Sequence, residues 1–258
     1  MKYFTKAWYE LCQKTSFHLS LTEDKKAETF SEAYFQQVYH DEWRKWLALQ
    51  EEVHALLSAR NVVRKPFDRE EAAKEFRDRY VHYREFYESA LPEWILRQIA
   101  DIRVFAMHKA ARNVIDAVAR YCEENERMVN STVENYRKYI EEAKSAIGEE
   151  IVKRFSFHDC RIAEAVSDGD ALRLRFDPSG GFTDITEVEL KDFRLIRQDG
   201  ALEKSTWLYE EIYKENDRFE LHALLQSPAE GLVDFIASAK AIVFKVINST
   251  FGATKPRL

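Results

Sequence analysis

The sequence predicts an α+β protein: an N-terminal helical bundle over residues 1–150, ending in a charged linker helix, followed by a small antiparallel β-sandwich or barrel-like domain over residues 151–258. Three observations carry that reading. The first of the seven glycines is Gly148, so the first half has few positive-φ turns and favours helices joined by short polar loops. Before Gly148 the apolar residues recur at helical steps of three and four, and after it they alternate as strands require. The chain has 258 residues, 45% of them hydrophobic and 13% aromatic, enough for two cores without metals or disulfides.

In the first half, Thr22 is placed to cap a long amphipathic helix, with Glu23 and Asp24 in its first turn. Its apolar face runs from Phe35 through Val38, Trp43, Trp46 and Leu49 to Val53. Asp68 caps a second helix, on which Phe76, Tyr80, Tyr83 and Tyr87 form one stripe. A helix starts at Pro92 and leads into EWILRQIADIRVFAMHKA. A last charged helix, YCEENERMVNSTVENYRKYIEEAKSAI, ends at Gly148, a favourable residue just beyond a helix terminus.

In the second half, RIAEAVSDGDALRLRF reads as a hairpin turning at SDGD, and TWLYEEIYKENDRFELHALLQ as another turning at ENDR. With EVELKDFRLI and AIVFKVI, the expectation is about six strands. Beyond Phe251 the tail GATKPRL is expected to fray.

Composition narrows the function classes. A net charge of -6 gives no general attraction to phosphate backbones or anionic membranes, so neither nucleic acid nor a membrane is an expected partner. The basic and aromatic residues of FRDRYVHYREFY fall on helical spacing and are balanced by Glu75, Asp78 and Glu85, which favours a core seam over base stacking. No apolar run approaches the roughly 18 residues of a membrane span, and the opening MKYFTKAWYELC lacks the apolar stretch of a secretory signal. Cys12, Cys122 and Cys160 are too scattered for a disulfide framework and form no CxxC pair, so a reducing cytoplasm is the expected location. Phosphate loops, GxSxG, HExxH and GxGxxG are all absent. No cofactor or metal is predicted: Glu51 and His54 have the Glu-x-x-His spacing of di-iron bundles, but only one such pair occurs where two are needed.

Chemistry concentrates instead in FSFHDCRI, where His158, Asp159 and Cys160 are consecutive. Phe155 and Phe157 alternate on odd positions while Cys160 and Ile162 continue on even ones, so the strand phase slips at His158 and Asp159. A bulge or tight entry turn is expected there. Cys160 reads as a buried small hydrophobe ahead of a nucleophile, because free cysteine is among the most buried residue types. Catalytic use of the cluster would need help from elsewhere, and His222 and Glu211 on the second hairpin are the candidates. On that hairpin Trp207, Tyr209 and Tyr213 are expected on one face, either inside the sheet or as an aromatic surface for a protein partner.

Five segments, MKYFTKAWYEL, LPEWILRQIADIRVFA, FSFHDCRI, WLYEEIY and FELHALL, together resemble an uncharacterised bacterial family of Bacillus-type organisms, domain-of-unknown-function family 4085. The likeness spans nearly the whole chain. The family pattern often carries glycine after the segment written FAM, where this chain has His108, which implies an altered turn. The HDxxI portion also resembles β modules of small uncharacterised bacterial proteins, some of them toxin-immunity proteins. The resemblance implies a cytoplasmic protein, helical first and β second, with no assigned activity and no functional residues to carry over. Taken with the residues, it makes a non-enzymatic protein-binding or regulatory module the leading expectation. The alternative is a hydrolase or metal-dependent enzyme centred on His158 and Asp159.

Overall fold

The computed structural model describes residues 1–62 and 65–246; the tail GATKPRL lies outside them. Two compact units emerge, Gln13–Arg127 and a second made of Met1–Cys12 together with the chain from Met128 onward.

In the helical unit the first long helix begins later than Thr22. Thr22–Glu23 (β1) pairs in parallel with Lys109–Ala110 (β2), and Asp24 turns its carboxylate onto the Lys26 amide at 2.9 Å to cap a short 3-10 turn. The helix starts at Ser31, whose hydroxyl accepts from the Tyr34 amide. The correction follows from local competition: an Asp followed by two lysines satisfies the backbone in a turn as readily as in a helix. With Lys6–Cys12 as α1, the long helices are α2, Glu32–Ala59, and α3, Arg69–Ala90, capped by Asp68 as the sequence predicts. The segment after Pro92 forms two single turns, Glu93–Leu96 (α4) and Ile102–Phe105 (α5), because Asp101 caps a fresh start on the Arg103 amide. The chain then enters α6, Arg112–Ile147, inside which the boundary between the units falls. Two apolar clusters fill the unit, one around Tyr87, Ile95, Phe105 and Val118 and one around Phe35, Val38, Val104 and Met107.

In the β unit Gly148 ends α6 with φ 100, Glu149–Arg154 (α7) follows, and among the described residues eight strands form one open antiparallel sheet. They are β3 Arg161–Asp168, β4 Ala171–Asp177, β5 Ile185–Lys191, β6 Arg194–Gln198, β7 Thr206–Glu215, β8 Arg218–Ser227, β9 Gly231–Ala239 and β10 Ala241–Val246. The order is β10-β5-β4-β3-β7-β8-β9-β6. The sheet does not close into a barrel. Its two four-stranded halves meet at the ladder pair Arg161↔Thr206 and the backbone bonds flanking it, and both contribute to one buried cluster that includes Ile162, Leu174 and Leu190 from one half and Trp207, Leu221 and Phe235 from the other. The stretch EVELKDFRLI, expected as one strand, is two: Asp192 takes φ 50, and its carboxylate accepts from Arg218 at 2.8 Å and pairs with Lys240 at 3.1 Å.

The half containing β7 and β8 is covered on both faces. A bulge between Trp207 and Tyr209 reverses the alternation, so Trp207 and Ile212 enter the main cluster while Tyr209, Glu211 and Tyr213 point the opposite way. That second face is covered by the N-terminal segment and by the Met128–Ile147 portion of α6. Phe4 and Trp8 lie 5.6 and 4.8 Å from the Tyr209 ring, and Tyr139 lies 5.2 Å from Tyr213. The Glu211 carboxylate, fully buried, accepts backbone N–H bonds from Lys2 (2.8 Å), Tyr3 (2.8 Å) and Phe4 (2.6 Å) and the Tyr213 hydroxyl at 2.6 Å. Replacing Glu211 by Ala leaves those donors without their acceptor in a buried place, and a loss of about 3 kcal/mol or more is expected. Urea denaturation of the two proteins measures it, and a loss below about 1 kcal/mol contradicts the role given to this carboxylate.

Candidate functional site

The phase slip predicted at His158 and Asp159 is a tight turn. The Cys160 amide donates to the Phe157 carbonyl at 2.9 Å, and Asp159 occupies the third position with φ 62, a backbone that Asp tolerates better than most residues. The turn is tied to the start of β7 by bonds of 2.8 Å from the Asp159 amide to the Trp207 carbonyl and from the Trp207 amide to the Cys160 carbonyl. Gly180 and Gly181 pass close behind it. A Cβ on Gly181 would sit 2.5 Å from Cys160 Sγ and 2.7 Å from the His158 carbonyl oxygen, so the close approach of the two segments requires glycine there.

His158 donates from Nδ1 to the Leu208 carbonyl. A carbonyl oxygen can only accept, so Nδ1 carries a proton and Nε2 is the ring atom left to bind or exchange one. Nε2 lies 3.6 Å from Asp159 Oδ2, and the ring packs 4.9 Å from Tyr209. His158 lines a cleft of about 910 Å³, with Ser156, Phe182, Thr183 and Asp184 among its walls and Lys153 and Arg154 of α7 contributing charge.

The other sequence candidates lie elsewhere. Cys160 is completely buried, and burial, reinforced by the nearby Glu210 and Asp159 carboxylates, pushes its thiol up to about 11. It stays protonated near neutrality and is no nucleophile. Glu211 is occupied by the N-terminal amides. His222 belongs to the same buried group: Nε2 lies 2.7 Å from Glu220 Oε1, Nδ1 lies 3.7 Å from Glu211 Oε2, and the ring is 5.0 Å from Tyr213. His158 and His222 share no direct partner among the described residues, and Glu211 is held by the N-terminal amides, so neither helper considered from sequence is brought to His158 and Asp159. The aromatic face expected on the hairpin is also corrected. Trp207 and Tyr213 are 1% and 3% exposed and lie on opposite faces because of the bulge; only Tyr209 is half-buried, and it backs His158. Glu51 pairs with Arg69 at 3.4 Å and His54 with the Lys65 carbonyl at 2.8 Å. No group of three or more His, Cys, Asp or Glu side chains able to hold a metal occurs among the described residues.

Glu210, beside Glu211 in the sequence, is the residue that sequence reasoning passed over. The bulge sends it towards the turn, where Oε2 accepts from the Trp207 indole at 2.7 Å and from the Phe157 amide at 3.5 Å. Burial of the carboxyl pushes its pKa up to about 7, against the lowering effect of those two bonds, of His158 and of a bond from the Ser156 side chain. The available signal was the failed alternation from Trp207 to Ile212, which puts one of two adjacent glutamates inside whichever face is buried.

The fold and site define an α+β protein with a helical unit, an open antiparallel sheet and a histidine-bearing turn at the edge of a cleft. The chain belongs to the family described as "Protein of unknown function (DUF4085)", whose model matches residues 68–234. No curated protein and no solved structure matches it. Among the described residues no helix is long and apolar enough to cross a membrane.

The raised Glu210 pKa sets a pH dependence. The folded protein holds that proton more tightly than the unfolded chain, whose glutamate titrates near 4.5. Stability from this group is therefore complete below about 4.5 and declines as pH rises through about 7, by up to about 3 kcal/mol. Unfolding free energies of wild type and Glu210→Gln at pH 5 and 7.5 measure it. Wild type is expected to lose stability relative to the variant at the higher pH, and a constant difference contradicts a carboxyl titrating in that range.

Proposed function

We propose that this chain is a cytoplasmic, non-enzymatic binding or regulatory protein whose β unit engages a protein partner at the cleft beside His158. The observation that carries the reading is Phe182. Its side chain is 93% exposed on the wall of the cleft, close to His158, Ile185 and the 39%-exposed Val246. A solvated aromatic anchor with apolar neighbours and a charged rim has the composition of a recognition surface. The rim carries both signs, Glu149, Glu150 and Asp184 against Lys153 and Arg154, which suits a folded partner or peptide presenting an apolar residue among mixed charges. The commitment of Glu211 to the N-terminal amides and the protonated state of Cys160 support a binding role over a covalent one. Trp207 and Tyr213 take no part in the surface.

One observation favours a second reading. His158 lines the cleft and is held through Nδ1 by a backbone carbonyl, which leaves Nε2, 3.6 Å from Asp159 Oδ2, as the ring nitrogen a general base in a hydrolase would use. A screen of ester and amide substrates with wild type and His158→Ala tests it; turnover lost in the variant supports the hydrolase.

For the binding reading, wild type, Phe182→Ser and a control, Phe30→Ser, whose exposed ring (64%) lies in the helical unit, are cross-linked in host lysate and the captured proteins identified. A partner is expected that wild type and the control retain and Phe182→Ser loses by about tenfold or more, the scale of a central aromatic anchor. Identical capture by all three proteins sinks the cleft as the surface.

A further inference from the structure

We propose that the helical unit carries a second site, independent of the cleft, that binds a small flat anion: an aromatic carboxylate of about the size of an indole acid. The site is a depression of about 310 Å³ between α2, α3 and the turn after α5, at the lower end of the range found for small-molecule pockets.

Its walls are aromatic and fixed. Trp46 on α2 is anchored by its indole N–H, which donates to the Ala72 carbonyl at 3.2 Å. Phe76, Tyr80 and Tyr83 on α3 complete the wall, so part of the stripe expected as core seam lines a pocket; Tyr87, the last residue of the stripe, is the one that is buried. Met107 and His108 form the floor. His108 has φ 62, the left-handed region that glycine enters most readily. It therefore occupies the backbone conformation a glycine would, while setting an imidazole against Tyr83 at 5.3 Å and Tyr87 Oη at 3.5 Å. Burial, then the charge of Arg79, lowers the pKa of that imidazole, so it adds polarity to the floor without positive charge at neutral pH.

Arg79 decides the chemistry. Its guanidinium lies over the rings of Trp46 and Tyr83, 5.2 and 5.3 Å from their centroids, and makes one hydrogen bond among the described residues, to Tyr83 Oη at 3.2 Å. It pairs with no carboxylate among them. The other charges of the pocket cancel, because Lys45 holds Glu42 at 2.7 Å. The pocket thus carries one uncompensated cation whose remaining N–H groups can take a carboxylate in a two-pronged bond, set among rings that can stack a planar apolar body. The same placement disfavours a cationic ligand: the protein's own guanidinium already holds the cation-π position.

The test titrates the 258-residue protein by calorimetry with indole-3-acetate and, separately, with tryptamine, which keeps the ring and reverses the charge. Saturable binding of indole-3-acetate is expected, at least about tenfold tighter than tryptamine. Arg79→Gln should weaken it by about tenfold or more, and Arg77→Gln, on the same helix but outside the pocket, should not change it. Melting curves confirm that each variant folds. If Arg79→Gln does not fold, Arg79→Lys serves, which keeps the charge, loses the fork and is expected to weaken binding by several-fold. Absence of saturable binding, equal affinity for tryptamine, or affinity unaffected by either Arg79 substitution overturns the proposal.

Discussion

The β unit depends on one buried carboxylate. Glu211 sits on a strand whose two faces are both covered, a position where an unpaired charge would be prohibitive. It is tolerated because three consecutive backbone amides of the N-terminal segment and the Tyr213 hydroxyl converge on it. The same bonds fix Phe4 and Trp8 over Tyr209, and Tyr209 is what the His158 ring rests on. The N-terminal segment, far away in sequence, thereby becomes part of the support of the histidine turn.

Two adjacent glutamates meet opposite fates through one irregularity. A regular strand would place Trp207, Tyr209 and Glu211 on the same side; the bulge after Trp207 puts Trp207 and Glu210 on the side of the main cluster and leaves Tyr209 and Glu211 on the other. Glu211 receives four donors and is held firmly, whereas at Glu210 burial outweighs the bonds from Trp207, Phe157 and Ser156, which is why its proton affinity rises. Such a carboxyl, packed behind the turn, makes the turn's support sensitive to conditions near neutrality.

Much of the fold was legible. Gly148, the Asp68 cap, the hairpins at SDGD and ENDR and the phase slip at His158 each have a local cause, and local causes are what residue spacing records. The candidate site was less so. The slip showed that His158 and Asp159 occupy a turn, but the burial of Trp207 and Tyr213 depends on a bulge and on a covering segment some 200 residues away, which hairpin alternation cannot reveal. Thr22 failed as a cap because Asp24 offered the backbone a nearer partner, and EVELKDFRLI split because Asp192 could enter positive φ and bind Arg218 and Lys240. Arg79 and Trp46 were visible only as members of helical stripes; that they enclose a pocket is a matter of how α2 and α3 pack.

The turn at Asp192 has a consequence for how the chain reaches this fold. β5 and β6 are joined by two residues yet stand second and last in the sheet order, so among the described residues β6 has no neighbour to join until β9 exists, and β9 is positioned by β8, which needs β7. The strand therefore waits through three later ones, and on a ribosome it emerges well before β9, its partner among the described residues. Pairings of this kind are slow because long loops must close before they are rewarded. Until then RLIRQ stands with Leu195 and Ile196 in water, and even in the finished sheet both remain 52% exposed at the edge. Arg194 and Arg197 flank that apolar pair, and like charges at such positions disfavour pairing of a waiting strand with copies of itself.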